Sequence, residues 1–209
     1  MKIINYTLGP LETNTYLVIN DNNEAIIIDP ALSMDSVASM INANYKVKTI
    51  LLTHAHFDHI DGIRFFLNVP IYLSHDEYDI IKDSRYNLYQ EFCGEDTPFD
   101  INKLDLRLVN DNDTINTIGY SIEVTLTPGH TKGGVCYKIE DNLFTGDTLF
   151  KESVGRWDFP SGNYCLLSAS IKKIFNKYNE NLKCYPGHGD SGNLKEIKKY
   201  NEIVMEILK

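Results

Sequence analysis

The chain has no run of about twenty apolar residues, the length a helix needs to span a bilayer. Its opening residues, Met1-Lys2-Ile3-Ile4-Asn5-Tyr6, are too polar and too soon interrupted to form the apolar heart of a secretory signal. Cysteine is sparse: Cys93, Cys136, Cys165 and Cys184 are widely spaced and none falls in a Cys-x-x-Cys pair. That argues against a disulfide framework and against a closed cysteine zinc finger. Cys136 and Cys184 lie in apolar, strand-like runs and read as small core residues. No linker rich in Gly, Ser or Pro, no low-complexity tract and no repeat at solenoid spacing divides the 209 residues, so a single domain over 1–209 is expected. Positive charge is also in deficit: 20 Lys and Arg stand against 29 Asp and Glu, a net charge of -9, where a phosphate backbone would call for a basic surface. The expectation is a cytoplasmic protein with neither nucleic acid nor membrane as partner.

Histidine, by contrast, is concentrated. Thr53-His54-Ala55-His56-Phe57-Asp58-His59 puts three imidazoles and a carboxylate within six positions, directly after the apolar run Lys48-Thr49-Ile50-Leu51-Leu52. A buried strand that ends in such a cluster can aim several ligands from one rigid edge at one point. Neutral imidazole and carboxylate suit zinc, iron and manganese. Three further segments repeat the arrangement: Thr127-Pro128-Gly129-His130, Leu143-Phe144-Thr145-Gly146-Asp147 and Cys184-Tyr185-Pro186-Gly187-His188. Four times, a probable strand runs into a turn that presents His or Asp. His75 stands alone at the polar start of a helix and reads as solvated, and Lys195, Lys198 and Lys199 read as the wet face of the last helix.

The order of these segments resembles the metallo-β-lactamase superfamily, and within it the small glyoxalase II-like, or hydroxyacylglutathione hydrolase-like, branch. Asn14-Thr15-Tyr16-Leu17-Val18 and Ala25-Ile26-Ile27-Ile28-Asp29-Pro30 resemble that family's opening strands. The resemblance implies an α/β fold, a four-layer αβ/βα sandwich with two divalent metals at one edge. By that correspondence His54, His56 and His130 hold one metal, Asp58, His59 and His188 hold the other, and Asp147 bridges them. Asp58 and Asp147 are thereby the catalytic carboxylates, with zinc the first expectation and iron or manganese the alternatives. One departure is Asp61-Gly62, where many members have Gly-Gly.

Periodicity predicts strands at 2–8, 14–20, 25–29, 48–53, 70–73, 104–109, 121–127, 134–139, 142–146 and 182–185. Helices are expected near 34–44 (capped by Ser33), from about 59, after Ser74, and at 163–178 and 193–208. Residues 84–102, with Tyr86, Tyr89, Phe92 and Phe99 among polar neighbours, resist assignment. Strands interleaved with amphipathic helices agree with a layered α/β fold.

Paired metals about 3.5–4 Å apart supply a nucleophilic hydroxide near neutral pH. A thioester is an undemanding substrate for such a site, because a thiolate leaves without a general acid. The leading expectation is therefore a hydrolase of acyl-thiols of the S-D-lactoylglutathione type, acting as a monomer or homodimer. The segment Ser153-Val154-Gly155-Arg156-Trp157-Asp158-Phe159-Pro160 resembles the Gly-Arg-x-Asp motif of that branch and of persulfide dioxygenases. Arg156 and Asp158 are its candidate substrate contacts, the alternative being an ion pair that only stiffens the loop. A mononuclear iron dioxygenase, using His54 or His56 with His130 and Asp147, is the main competing reading. Val154 weakens it, since a cysteine often stands there in that branch. Lactonase and β-lactamase chemistry use the same core, although zinc β-lactamases usually alter the ligand set with a cysteine. Long glyoxalase II enzymes grip glutathione through a helical domain after the last ligand and through a Lys and a Tyr where Arg156 and Asp158 stand here. A weak grip on glutathione is therefore expected.

Overall fold

The computed structural model describes residues 1–209 as two six-stranded sheets with helices outside both. The first half of the chain forms β1 (Lys2–Leu8), β2 (Thr13–Ile19), β3 (Glu24–Ile28), α1 (Asp35–Asn44), β4 (Lys46–Leu51), α2 (Phe57–Ile60), β5 (Ile71–Ser74), α3 (Glu77–Lys82), α4 (Tyr89–Cys93) and β6 (Leu106–Val109). The second half forms β7 (Thr114–Thr117), β8 (Tyr120–Leu126), β9 (Val135–Ile139), β10 (Asn142–Gly146), α5 (Tyr164–Lys177), β11 (Lys183–Pro186), β12 (Gly192–Asn193), α6 (Leu194–Tyr200) and α7 (Glu202–Ile207). In the first sheet the strands lie in sequence order, antiparallel from β1 to β3 and parallel from β3 to β6. In the second the order is β12-β11-β10-β9-β8-β7, with β10 and β11 its parallel pair. None of the helices is long and apolar enough to cross a membrane.

Alternation along the strands creates the layers. On β2, Leu17 and Ile19 face α1 and the first-half helices, while Tyr16 and Val18 face the other sheet. On β3, Ala25 and Ile27 go outward and Ile26 and Ile28 go between the sheets, where they meet Ile122, Val124, Tyr137 and Phe144. The second sheet turns Cys136, Leu143 and Cys184 to its outer face, against Leu167, Ile171, Ile174 and Val204 of α5 and α7. Strands buried on both faces read as continuous apolar runs. Because the period is two, a one-residue slip would exchange the two sets of partners, and burial on both sides fixes the register. Three apolar interfaces thus separate four layers: helix, sheet, sheet, helix. Cys136 and Cys184 are fully buried and all four thiols are free.

Several local expectations differ from what forms. Ser33 does not cap α1; it takes a left-handed φ of 63° and the helix starts after Met34. The helix expected from 59 is one turn of α-helix followed by a 3-10 stretch, Asp61–Phe65. Ser74 ends β5 and, as expected of a cap, its hydroxyl accepts at 3.3 Å from the amide of Glu77, the first residue of α3. The expected 193–208 helix breaks at Asn201, whose side chain accepts from the Val204 amide and starts α7 anew. The strand Thr114–Thr117 carries no apolar alternation beyond Ile115, so periodicity missed it.

Strands β4, β8, β10 and β11 run out at the same edge of the sandwich. There the sheets are tied together: the Val135 amide donates to the Thr53 carbonyl at 2.9 Å, and the Asn14 amide to the Gly187 carbonyl at 2.7 Å. Tyr16 adds a bond from its hydroxyl to the Pro186 carbonyl at 2.7 Å.

Candidate metal centre

Past the end of β4 the chain stays extended through His54 and His56 and then enters α2, so Asp58 and His59 sit in the first helical turn. Their lone approach directions therefore differ although they are sequence neighbours. His130 is presented by the turn after β8, where Gly129 has φ of 143° and a Cβ would lie 2.2 Å from the Leu167 amide nitrogen. No other residue fits that position. Gly187 stands equally close on the opposite side: a Cβ there would come within 2.0 Å of Asp147 Oδ1 and 2.7 Å of a His59 ring carbon. His188 follows at the end of β11, and Asp147 follows Gly146 at the end of β10.

The side chains gather in two sets of three, His54 with His56 and His130, and Asp58 with His59 and His188. Asp147 lies between the sets: its Oδ2 is 3.5 Å from His130 Nε2 and 3.5 Å from His188 Nε2, and its Oδ1 is 3.5 Å from His59 Nε2. Asp58 Oδ2 lies 3.4 Å from both His59 Nε2 and His188 Nε2. All seven residues expected from the sequence are thus brought to one edge. His54 Nε2, His56 Nε2, His59 Nε2 and Asp147 Oδ1 are buried without any hydrogen-bond partner. Orphaned polar atoms at such density cost folding free energy unless something satisfies them. His130 Nε2 faces His56 Nδ1 at 2.9 Å. With His130 Nδ1 donating to the Arg156 carbonyl at 2.6 Å, its Nε2 carries a lone pair, which can accept from His56 Nδ1–H or ligate a cation. The donor set, neutral imidazoles and carboxylates without thiolate, fits divalent metal.

Residues around the seven hold them in place, and sequence reasoning assigned none of these a role. Asp29 accepts the Thr53 amide at 2.8 Å and hydroxyl at 2.6 Å, and its Oδ2 lies 3.0 Å from His59 Nδ1. Asp29 also falls in a third geometric group with His54 and His59. Its oxygens are already committed to Thr53 and His59, which makes it a support that fixes the His59 tautomer. The Thr13 hydroxyl donates to Asp58 Oδ2 at 2.7 Å, and His188 Nδ1 faces the Leu11 carbonyl at 3.0 Å. Glu77, fully buried, accepts from the Ala55 amide at 2.9 Å, the Gly133 amide at 3.1 Å and the Thr131 hydroxyl. It thereby ties the turn carrying His54 and His56 to the turn carrying His130. Asp29 had a legible signal, a carboxylate ending an apolar strand before Pro30. Thr13 and Glu77 had none.

The cluster is electrostatically coupled. Burial, together with neighbouring histidines, lowers the pKa of His54 and His56 well below the ordinary value. Burial opposes charge on His59 and His188 too, yet Asp58 and Asp147 raise them to about 9 and about 11. Against burial, the same histidines hold Asp58 down to about 2 and Asp147 well below the usual carboxylate range. Protons occupy the place that cations would take, so metal uptake at this centre releases protons.

The other sequence candidates fall outside these sets. Arg156 donates bidentately to Asp158, at 2.9 and 2.8 Å, and lies 4.0 Å over the Phe159 ring. The loop-stiffening ion pair is therefore formed, with both partners exposed. Trp157 packs on Tyr164, and His75 is exposed and apart from the cluster. Residues 84–102, unassigned from the sequence, form α4 and a 3-10 turn, Ile101–Lys103.

Comparison with known proteins adds the following. The model of the Metallo-beta-lactamase superfamily matches residues 8–188. A probable metallo-hydrolase of Bacillus subtilis, YqgX, is 32% identical over 202 residues, 90% of each chain. A hydroxyacylglutathione hydrolase of Buchnera aphidicola is 37% identical over 142 residues, 68% of this chain and 49% of that one. Among solved structures, the BLEG-1 B3 metallo-beta-lactamase superposes with a TM-score of 0.88 at 32% identity, covering 97% of this chain and 99% of that one. A di-iron-bound form of TTHA1623 superposes with a TM-score of 0.81 at 28% identity, covering 96% and 99%.

Proposed function

The chain belongs to the metallo-beta-lactamase superfamily and is a metal-dependent hydrolase of that kind, and from that premise we propose a two-metal hydrolase of acyl thioesters. The observation that carries the reading is the gathering of two three-residue sets around the carboxylate of Asp147, with buried polar atoms among them left without a hydrogen-bond partner. His54, His56 and His130 would hold one ion, Asp58, His59 and His188 the other, and Asp147 both. Divalent ions held there supply Lewis acidity and a water ionised near neutral pH.

What the chain itself contributes is orientation. Asp29, the Leu11 carbonyl and the Arg156 carbonyl engage the far nitrogens of His59, His188 and His130, which leaves the near nitrogens free to ligate. Thr13 fixes the Asp58 carboxylate, so its remaining oxygen is available to orient the attacking water. Neither Asp158, bound to Arg156, nor Glu77, which accepts from three donors, is free to protonate a leaving amine or alkoxide. A thiolate needs no such proton. The relative from Buchnera aphidicola, a hydroxyacylglutathione hydrolase, supports the thioester reading over its matched region. Zinc is the first choice of metal, with iron or manganese the alternatives; the di-iron form of TTHA1623 is a precedent for two metals in a similar chain.

The test is elemental analysis of the purified protein together with turnover of lactoyl-, acetyl- and butyryl-thioesters, nitrocefin and a simple lactone. Two metals per chain and thioester hydrolysis at the highest kcat/KM are the expected result. One iron per chain with oxygen uptake on a persulfide would replace the reading with a dioxygenase, and preferential nitrocefin cleavage would replace it with a β-lactamase.

A further inference from the structure

Three phenylalanines from separate segments meet beside the centre. The Phe159 ring centroid lies 5.7 Å from that of His56 and 6.4 Å from that of His130. Phe92 lies 6.3 Å from Phe159, and Phe57 stacks on Phe92 at 5.2 Å with an interplanar angle of 12°. Phe57 is buried, but Phe92 is 50% exposed. An exposed ring at the rim of a metal-binding centre forgoes burial unless something covers it.

The exposure of Phe92 is built into the fold. The Phe92 amide closes a bond to the Leu88 carbonyl at 3.0 Å, and Leu88 is buried with a left-handed φ of 70°, a strained conformation for a leucine. Asn87 is fully buried; its carbonyl accepts the Phe57 amide at 2.8 Å, and its side chain bonds Ile81 and Thr97. The Tyr89 hydroxyl donates at 2.8 Å to Asp61, the residue by which this chain departs from the common Gly-Gly. Asp61 therefore tethers the helix that presents Phe92. Beside Phe159 the Arg156 guanidinium is spent on Asp158 and the ring face, so the aromatic side offers no free cation to a carboxylate. The side at His188 is different: a cavity of about 540 Å³ lined by Phe150, Lys151, Glu152, Ser153 and Asp190, where Lys151 makes no ion pair.

We infer that Phe57, Phe92 and Phe159 form the wall that receives the acyl part of the substrate, and that this part is an apolar chain or ring. The polar, thiol-bearing part lies toward His188 and Lys151. Hydrolysis then breaks the carbon–sulfur bond, adds water's oxygen to the carbonyl carbon, and releases a carboxylic acid on the aromatic side and a thiol on the polar side. The inference rests on the thioester reading for the reaction, but the wall can be tested without turnover.

Calorimetric titration of the zinc-loaded protein with acetate, butyrate and hexanoate reads it directly. Each added methylene covered by the wall should lower Kd by about threefold to fourfold. Phe92→Ala, which removes a half-exposed ring and leaves the core intact, should flatten that dependence without changing zinc content. Phe159→Ala should do the same if zinc content holds. A chain-length-independent Kd, or hexanoate binding too weak to detect in protein carrying both metals, overturns the wall. In parallel, N-acetylcysteamine thioesters of the same acids are assayed for turnover. Hydrolysis with flat carboxylate binding sinks the wall alone. Graded carboxylate binding without thioester turnover upholds the wall and sinks the thioester reading.

Discussion

The two halves of the centre are made from different material. His54, His56 and His130 are all buried and come from turns that Glu77 clamps to each other across the two sheets. On the other side, Asp58 and His59 are buried but the His188 side chain is 27% exposed, and its turn is held by the Leu11 carbonyl, the Asn14 amide and side chain, and the Tyr16 hydroxyl. Both halves are preorganised by buried side chains, Glu77 on one and Asp29 and Thr13 on the other, but only the second is open to solvent, at His188. Burial stiffens the first set and excludes water from it, whereas the second can open locally at lower cost. Under the proposed two-metal reading, the difference assigns metal holding to the clamped side and exchange of water and leaving group to the open one.

Asp147 is where the comparison can be broken outright. Asp147→Ala removes the carboxylate facing both sets while sparing the apolar core, and should cost at least about 10²–10³-fold in kcat/KM with the fold retained by circular dichroism. Activity within a few-fold of the parent, at unchanged metal content, would remove Asp147 from its bridging role. A finer test pairs His130→Ala with His188→Ala. The first should lose metal from the clamped side and nearly all activity; the second should keep about one metal per chain through dialysis against a mild chelator. Equal loss of both metals in the two variants would show that the halves are not separable.

Glu77→Gln tests the clamp. An amide offers the Ala55 amide a donor where an acceptor is needed, so unfolding free energy should fall by about 1–3 kcal/mol in denaturant titration. Burial pushes the Glu77 carboxyl up to about 7 from the ordinary 4.5, so the folded chain holds this proton more tightly than the unfolded one. The stability it contributes is fully present below the unfolded value and is lost as pH rises through about 7. The gap between parent and variant should narrow from about pH 5 to about pH 8. A gap that widens with pH would mean the ionised form is the one the clamp requires. The smallest effect is expected at His75→Ala, which should alter neither metal content nor kcat/KM, because that side chain is exposed and outside both sets.

Much of this was legible in the sequence because the determinants are local. A strand ending in a turn that presents His or Asp is a contiguous pattern, and it recurs at all four places where the chain reaches the centre, with Gly or Pro beside it at three of them. The departures have equally local causes. Asn201 interrupts an otherwise helical run by capping the next helix, and Thr114–Thr117 forms a strand because β8 offers it a free edge, not because its own side chains alternate. Phe92 lay in the segment that resisted assignment, and Phe159 stood in the Gly-Arg-x-Asp segment without a role of its own.

The sequence by itself determined the order of the strands' apolar runs, the identity of the seven metal-facing side chains and the chemical class of ion they suit, since residue type and spacing carry that information. The grouping into two sets of three with Asp147 between them was implied by the family resemblance and is realised by the fold, whereas only the tertiary structure decided that Glu77, Asp29 and Thr13 hold them. It alone brought Phe57, Phe92 and Phe159 to one rim. These are relations between residues far apart in the chain, and they exist only because packing three apolar interfaces into four layers brings the strand ends to a common edge.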